Sequence, residues 1–153
     1  MTAQTGRTHP KYLGVFVDNS AGTLTDLSAY LDAPGTFGLQ YAEQDVTGMS
    51  DAIQNVVVGR PSAPLSIVWQ FDTVVMAHFT ACDTVAGHNT PMTIDFRMGI
   101  RHVWESGEPT FGITSSATSG YVFKDFTTDG IKITTTFNVF GPTAPAFATT
   151  AHT

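Results

Sequence analysis

The segment Gly120–Gly141, GYVFKDFTTDGIKITTTFNVFG, constrains this chain more than any other. Two alternating runs flank Thr128, Asp129 and Gly130, residue types that suit a tight turn. In the second run Ile131, Ile133, Thr135, Phe137 and Val139 recur at every other position, and Lys132, Thr134, Thr136 and Asn138 stand between them. Side chains alternate across a strand, so this run has one face to bury and one to present. Its β-branched and aromatic residues fit a pleated, half-buried surface. Gly141 and Pro142 then stop it. The expectation is a β-hairpin whose apolar face, Ile131 through Val139, belongs to a core.

The rest of the chain repeats this style in shorter pieces. Tyr12 to Asp18 reads as a strand, with Leu13, Val15 and Val17 on one face. Asn19-Ser20-Ala21-Gly22 is turn chemistry, and a short strand is expected through Ala29, Tyr30 and Leu31. Phe37, Leu39 and Tyr41 alternate beyond the Ala33-Pro34-Gly35 turn. Leu65, Ile67, Trp69 and Phe71 mark another strand, as do Met92, Ile94, Phe96 and Met98, with Thr93, Asp95 and Arg97 opposite. One helix is predicted over 73–86: Asp72 or Thr73 caps it, and Val75, Phe79, Cys82 and Ala86 form a single apolar stripe. Gly87 suits a left-handed C-terminal cap. His102 to Phe111 reads as a loop or strand edge. The fold expected is mainly β, a sandwich or barrel of about seven or eight antiparallel strands with one packed α-helix. It occupies a single domain over 11–143, with flexible arms at 1–10 and 144–153.

The segment 43–64 breaks the pattern. It has two glycines, two prolines and no sustained period, though Ser50 and Asp51 can cap a short helical turn near Ser50–Asn55. Loops longer than about 12–15 residues are uncommon in compact domains and are usually functional or disordered. Its apolar residues argue against permanent exposure. Asp45, Val46, Met49, Ile53, Val56, Val57, Val58 and Arg60 are therefore expected to order against a neighbouring subunit.

Composition supports self-association. Charged residues make up only 13% of the chain and hydrophobic ones 42%, against about 25% charged in an average soluble domain. The net charge is −6, and the seven basic residues are scattered singly. Duplex DNA is gripped through phosphates by clustered Lys and Arg, so tight nucleic-acid binding is not expected. Cys82 is the single cysteine, which rules out an intramolecular disulfide. The N-terminus has no long apolar run, and no run is long enough to cross a membrane as a helix. A chain starting near Met1 and folding in a cytoplasm is expected.

Chemistry finds little support. His78, Cys82 and His88 lack the further ligands that a structural zinc site needs, so no metal or cofactor is expected. No GxSxG elbow, P-loop or GxGxxG is present. Asp125 with Asp129, and Glu105 with Glu108, read as carboxylates in solvated turns. The expectation is a protein that is not an enzyme.

The order of segments carries a resemblance. VDNSAGTLTDLSAYLDAPG resembles the opening of tail tube (major tail) proteins of long non-contractile-tailed phages, through Asp26-Leu27-Ser28-Ala29-Tyr30 and the turn before it. The succession of long loop, strand and helix (43–59, 65–71, 73–86) and the closing DGIKITTTFNVFGP are similar to the same family. The resemblance covers most of residues 12–143. It implies a structural virion protein, assembled in the bacterial host cytoplasm, whose hexameric rings stack into a tube that conducts the genome. The implied partners are further copies of the chain, a tape-measure protein and terminator or baseplate proteins, with DNA passing transiently and no membrane involved. One polar strand face, Thr93/Asp95/Arg97 or Lys132/Thr134/Thr136/Asn138, would line the lumen. A capsid decoration protein or tail terminator is the alternative within this class. A small β-barrel ligand-binding module or enzyme is the alternative outside it.

Overall fold

The computed structural model describes residues 2–153; Met1, where the expected arm 1–10 begins, lies outside them. The elements in chain order are β1 (Leu13–Asp18), β2 (Leu24–Asp26), β3 (Leu31–Ala33), β4 (Gln40–Asp45), β5 (Val56–Ser62), β6 (Leu65–Gln70), α1 (Thr73–Cys82), β7 (Ile94–Met98), β8 (Thr110–Ile113), β9 (Gly120–Thr128), β10 (Lys132–Phe140) and β11 (Ala146–Ala148). Their antiparallel pairings make a five-stranded sheet β11-β8-β7-β1-β2, a four-stranded sheet β3-β6-β10-β9 and a two-stranded hairpin β4-β5. The chain is mainly β with one α-helix, as its alternating pattern predicts.

One apolar core draws on both larger sheets and on α1. Val15, Val17, Ile94, Phe96 and Phe111 come from the first sheet, and Ile67, Trp69, Phe123, Ile133 and Phe137 from the second. Asp72 caps α1 by accepting a hydrogen bond from Val74 N at 2.8 Å. The helix then sends Val75, Phe79 and Cys82 inward. Phe79 stacks on Phe123 at 5.9 Å between centroids and lies 5.7 Å from Trp69. Thr135 holds a core position because Trp69 needs it: indole Nε1 donates to Thr135 Oγ1 at 2.9 Å, leaving no buried donor unpaired.

Hairpin β9–β10 follows its sequence closely. Ile133, Thr135 and Phe137 are buried, and the polar positions between them are half-buried or exposed. Asp129 accepts from the N–H groups of Ile131 and Lys132 across the turn. Ile131 is a correction: it belongs to that turn rather than to the core face, and is 74% exposed. Gly141 ends β10 at φ 95, where a Cβ would come within 1.8 Å of Thr118 O, so the stop is enforced by space as well as by φ.

Other expectations shift. Ser28–Tyr30 is a 3₁₀ turn, with β3 beginning at Leu31. Phe71 falls beyond β6 and is exposed. α1 ends at Cys82, short of Ala86. Gly87 starts a 3₁₀ turn (Gly87–Asn89) without a left-handed φ; it is small because a Cβ would sit 2.1 Å from Cys82 O. β8 begins at Thr110, at the end of the stretch expected to be a loop or strand edge. Segment 43–64 is no irregular loop: its strands pair, and Ser50–Asn55 forms turns and bends rather than a helix. The C-terminal segment contributes β11, which pairs with β8 through Ala146–Gly112, Phe147–Phe111 and Ala148–Thr110.

Candidate functional site

Three surfaces account for the residues that the sequence singles out. The first is the outward face of the four-stranded sheet. The register sets Lys132 beside Gln70, Thr134 beside Val68 and Thr127, Thr136 beside Ser66 and Asp125, and Asn138 beside Val122. A register shift between Thr136 and Phe137 sets Lys124 outward. The face is rich in hydroxyls and short of free charge. Lys132 Nζ pairs with Asp32 at 3.0 Å, and Thr136 Oγ1 donates to Asp125 at 2.6 Å.

The second surface is the alternative lumen face, Thr93/Asp95/Arg97, and it is largely closed. Thr93 and Asp95 are buried within the subunit. Thr93 Oγ1 donates to Ser115 Oγ at 3.0 Å and accepts from Ser115 N. Asp95 accepts from Arg97 Nε at 2.8 Å, from His152 Nδ1 at 2.8 Å and from His152 N at 3.2 Å. Arg97 lies over the Phe16 ring at 3.8 Å. A buried carboxylate needs such partners, because unpaired it would lose its hydration without return. The strap after Phe140 thus seals this face. Alternation in β7 marks Asp95 as polar, but its partner His152 is 57 residues away, and no local signal joins them.

The third surface is the β4–β5 hairpin. Every residue of both strands is exposed. The tip is nevertheless ordered by its own polar groups. Asp45 accepts from Thr47 N at 2.9 Å, Asp51 from Gly48 N at 2.6 Å, and Asn55 N donates to Thr47 Oγ1 at 2.8 Å. The Thr47 hydroxyl holds the Asp45 carboxyl below its ordinary range, and the Gly48 N–H does the same for Asp51. These carboxylates are satisfied locally, whereas Val46, Met49, Ile53, Val56, Val57 and Val58 all face water. Among the described residues Arg60 has no ion-pair partner. The hairpin's base and the Asn138–Pro145 stretch line an open cleft of about 660 Å³.

The residues weighed for chemistry are held apart. His78 Nε2 donates to Asp18 O at 3.1 Å, Cys82 is buried in the core, and His88 donates from Nδ1 to Phe123 O and from Nε2 to Asp83. No group of three His, Cys, Asp or Glu among the described residues could hold a metal ion. Ser115 bonds Thr93, and Ser119 accepts from Thr143 N. Glu108 is buried rather than solvated: its carboxylate accepts from Ile100 N and Gln4 N, and His102 Nε2 lies 3.0 Å away. Burial raises its pKa, but the two N–H donors and His102 outweigh this and hold it low. That cluster fixes the 100–108 loop. The composition of the loop gave no sign of it.

No family model matches the chain, and no curated protein matches it. The fold has matches among solved structures. One is a chain of the structure described as "Cryo-EM structure of the anti-feeding prophage (AFP) baseplate, 6-fold symmetrised", with a TM-score of 0.57, 7% identity and 97% of each chain covered. The chain therefore shares its fold with that protein along nearly its whole length.

Proposed function

We propose that this chain is a structural virion protein, a tail tube subunit whose hexameric rings stack into a channel for genome delivery. The observation that carries the reading is the end-to-end fold likeness to a chain of a six-fold symmetrised prophage baseplate. The two uncovered surfaces support it. The hairpin offers Asp45, Val46, Met49, Ile53, Val56, Val57, Val58 and Arg60 to a neighbouring copy, where burial would recover about 25 cal/mol per Å² of apolar area. The face formed by Lys132, Thr134, Thr136 and Asn138 lines the lumen. Of the lysines on this face Lys132 is already paired with Asp32 and Lys124 stands singly, so phosphates meet no cluster of cations and DNA stays mobile. The role is assembly rather than catalysis, in the tail of a virion put together in the host cytoplasm. The partners are further copies, a tape-measure protein and terminator or baseplate proteins.

Negative-stain microscopy of the purified protein at high concentration tests this. Stacked tubes are expected, and a chain that stays monomeric overturns the reading. The same likeness favours a second reading, a baseplate or terminator ring, for which single unstacked rings are the expected image. With tubes in hand, Thr134→Lys with Asn138→Lys should slow genome passage while leaving particle assembly intact.

A further inference from the structure

The fold gathers cations that the sequence scatters. No Asp or Glu stands in residues 2–17 or 96–104, and these two segments hold Arg7, Lys11, Arg97 and Arg101 of the seven basic residues. Hydrogen bonds from His9 N to Gly99 O and from Gly99 N to Tyr12 O join the segments at one end of β7. Arg97 is matched by Asp95, but Arg7, Lys11 and Arg101 are exposed and have no ion-pair partner among the described residues. Beside them Tyr12, Phe16 and Trp104 line a cleft of about 220 Å³. The Arg97 guanidinium lies over the Phe16 ring at 3.8 Å and 5.3 Å from Trp104. Asp26, bonded to Ser28, is the single carboxylate of that cleft.

The β4–β5 hairpin is opposite in charge. Residues 40–59 hold Glu43, Asp45 and Asp51 and no Lys or Arg. Asp45 accepts from Thr47 and Gln54, and Asp51 from Gly48 and Asn55; these donors are neutral, so the bonds leave both charges uncompensated. Between the two aspartates Met49 stands fully exposed. We propose that the tip of this hairpin docks in the aromatic cleft of a neighbouring copy, with Met49 against the rings and the tip carboxylates among Arg7, Lys11 and Arg101. The inference rests on the reading that the chain self-assembles and names the receiving surface. A thioether against aromatic rings is a favourable contact, and opposite charges around it fix register and partner. Donor and receptor also lie apart within one copy. The hairpin's base shares a cleft with Asn138–Pro145, where β10 ends beside Gly120, and Gly120 abuts Pro91 and Met92 ahead of β7. The cationic segments meet beyond Met98, at the other end of that strand. The contact is therefore head-to-tail, as rings and stacks require.

Charge exchange tests it in the full chain. One batch carries Lys11→Glu with Arg101→Glu, the other Glu43→Lys, Ser50→Lys and Asp51→Asn, all at exposed positions. Alone, each batch sets like charge against like, and particles in micrographs should fall about tenfold. Mixed, each hairpin meets a cleft of opposite sign, and particles should return. That return also excludes misfolding, because a chain that fails to fold gains nothing from mixing. Normal particles from either batch alone, or no recovery on mixing batches that melt as the native chain does, overturn the docking and leave self-assembly standing. If the native chain then binds duplex DNA and Lys11→Glu with Arg101→Glu does not, the cations serve phosphate instead. No particles from the native chain overturn self-assembly itself. Met49→Lys, at a position that touches no core, should lower particle yield by itself, and an unchanged yield counts against the proposal.

Discussion

The two long hairpins of this protein use the same residue types to opposite ends. In β9–β10 the apolar residues alternate with polar ones, and the chain closes over the apolar set itself: Ile133 and Phe137 meet Trp69, Phe79 and Phe123. In β4–β5 the valines run together as Val56-Val57-Val58, so β5 shows valine on both of its faces and neither is covered. Alternation commits a strand to a single core. A continuous apolar run on a two-stranded hairpin demands cover on more than one side, which the subunit does not supply.

The contrast can be broken in four ways, in order of decreasing effect on the stability of the monomer. Phe137→Ala should destabilise the subunit by about 3–5 kcal/mol through lost burial and the cavity left among Phe79, Tyr121 and Phe123, read by urea denaturation. Thr135→Val keeps the shape but orphans the Trp69 indole N–H, and should cost about 1–3 kcal/mol in the same measurement. Val57→Asp should leave unfolding within about 0.5 kcal/mol of the native value, yet remove particles from micrographs. A large loss of monomer stability from Val57→Asp would show that the hairpin is covered within its own subunit.

The smallest effect sharpens the tie between α1 and β9. Both ring nitrogens of His88 face acceptors, Phe123 O at 2.9 Å and then Asp83 at 2.7 Å, so the folded state favours the doubly protonated ring and raises its pKa above 6.5. The folded state then binds more protons than the unfolded one between the two values. The contribution is complete below about pH 6.5 and fades as pH rises through the folded value. Urea midpoints at about pH 6 and about pH 9 should differ less in His88→Gln than in the native chain.

Where pattern and environment agree, the sequence is a faithful guide. β1, β6, β7, β10 and the inward stripe of α1 follow from alternation or helical spacing, because each packs one face on the core. β8 escapes notice because all of Thr110, Phe111, Gly112 and Ile113 are buried, which removes the alternation that would mark a strand. The pairing of β4 with β5 escapes because glycine and proline interrupt a strand that touches no core. Asp95 misleads for another reason: a polar residue on an alternating strand announces solvent, and Arg97 together with the distant His152 satisfies it in the interior. The surface residues of the open face were readable from β10 alone.

The strap that ends at His152 also bears on the order of folding. Its strand pairs with β8 and its histidine with Asp95, 57 residues back along the chain. Contacts of such sequence separation come at the cost of loop closure and form slowly, whereas β9–β10 needs only a tight turn. On a ribosome delivering about 5–20 residues per second, the hairpin can close while the strap has yet to emerge. Until β11 and His152 arrive, the edge of β8 stays unpaired and Asp95 keeps a single charged partner. The five-stranded sheet is therefore completed only after the strap has been made.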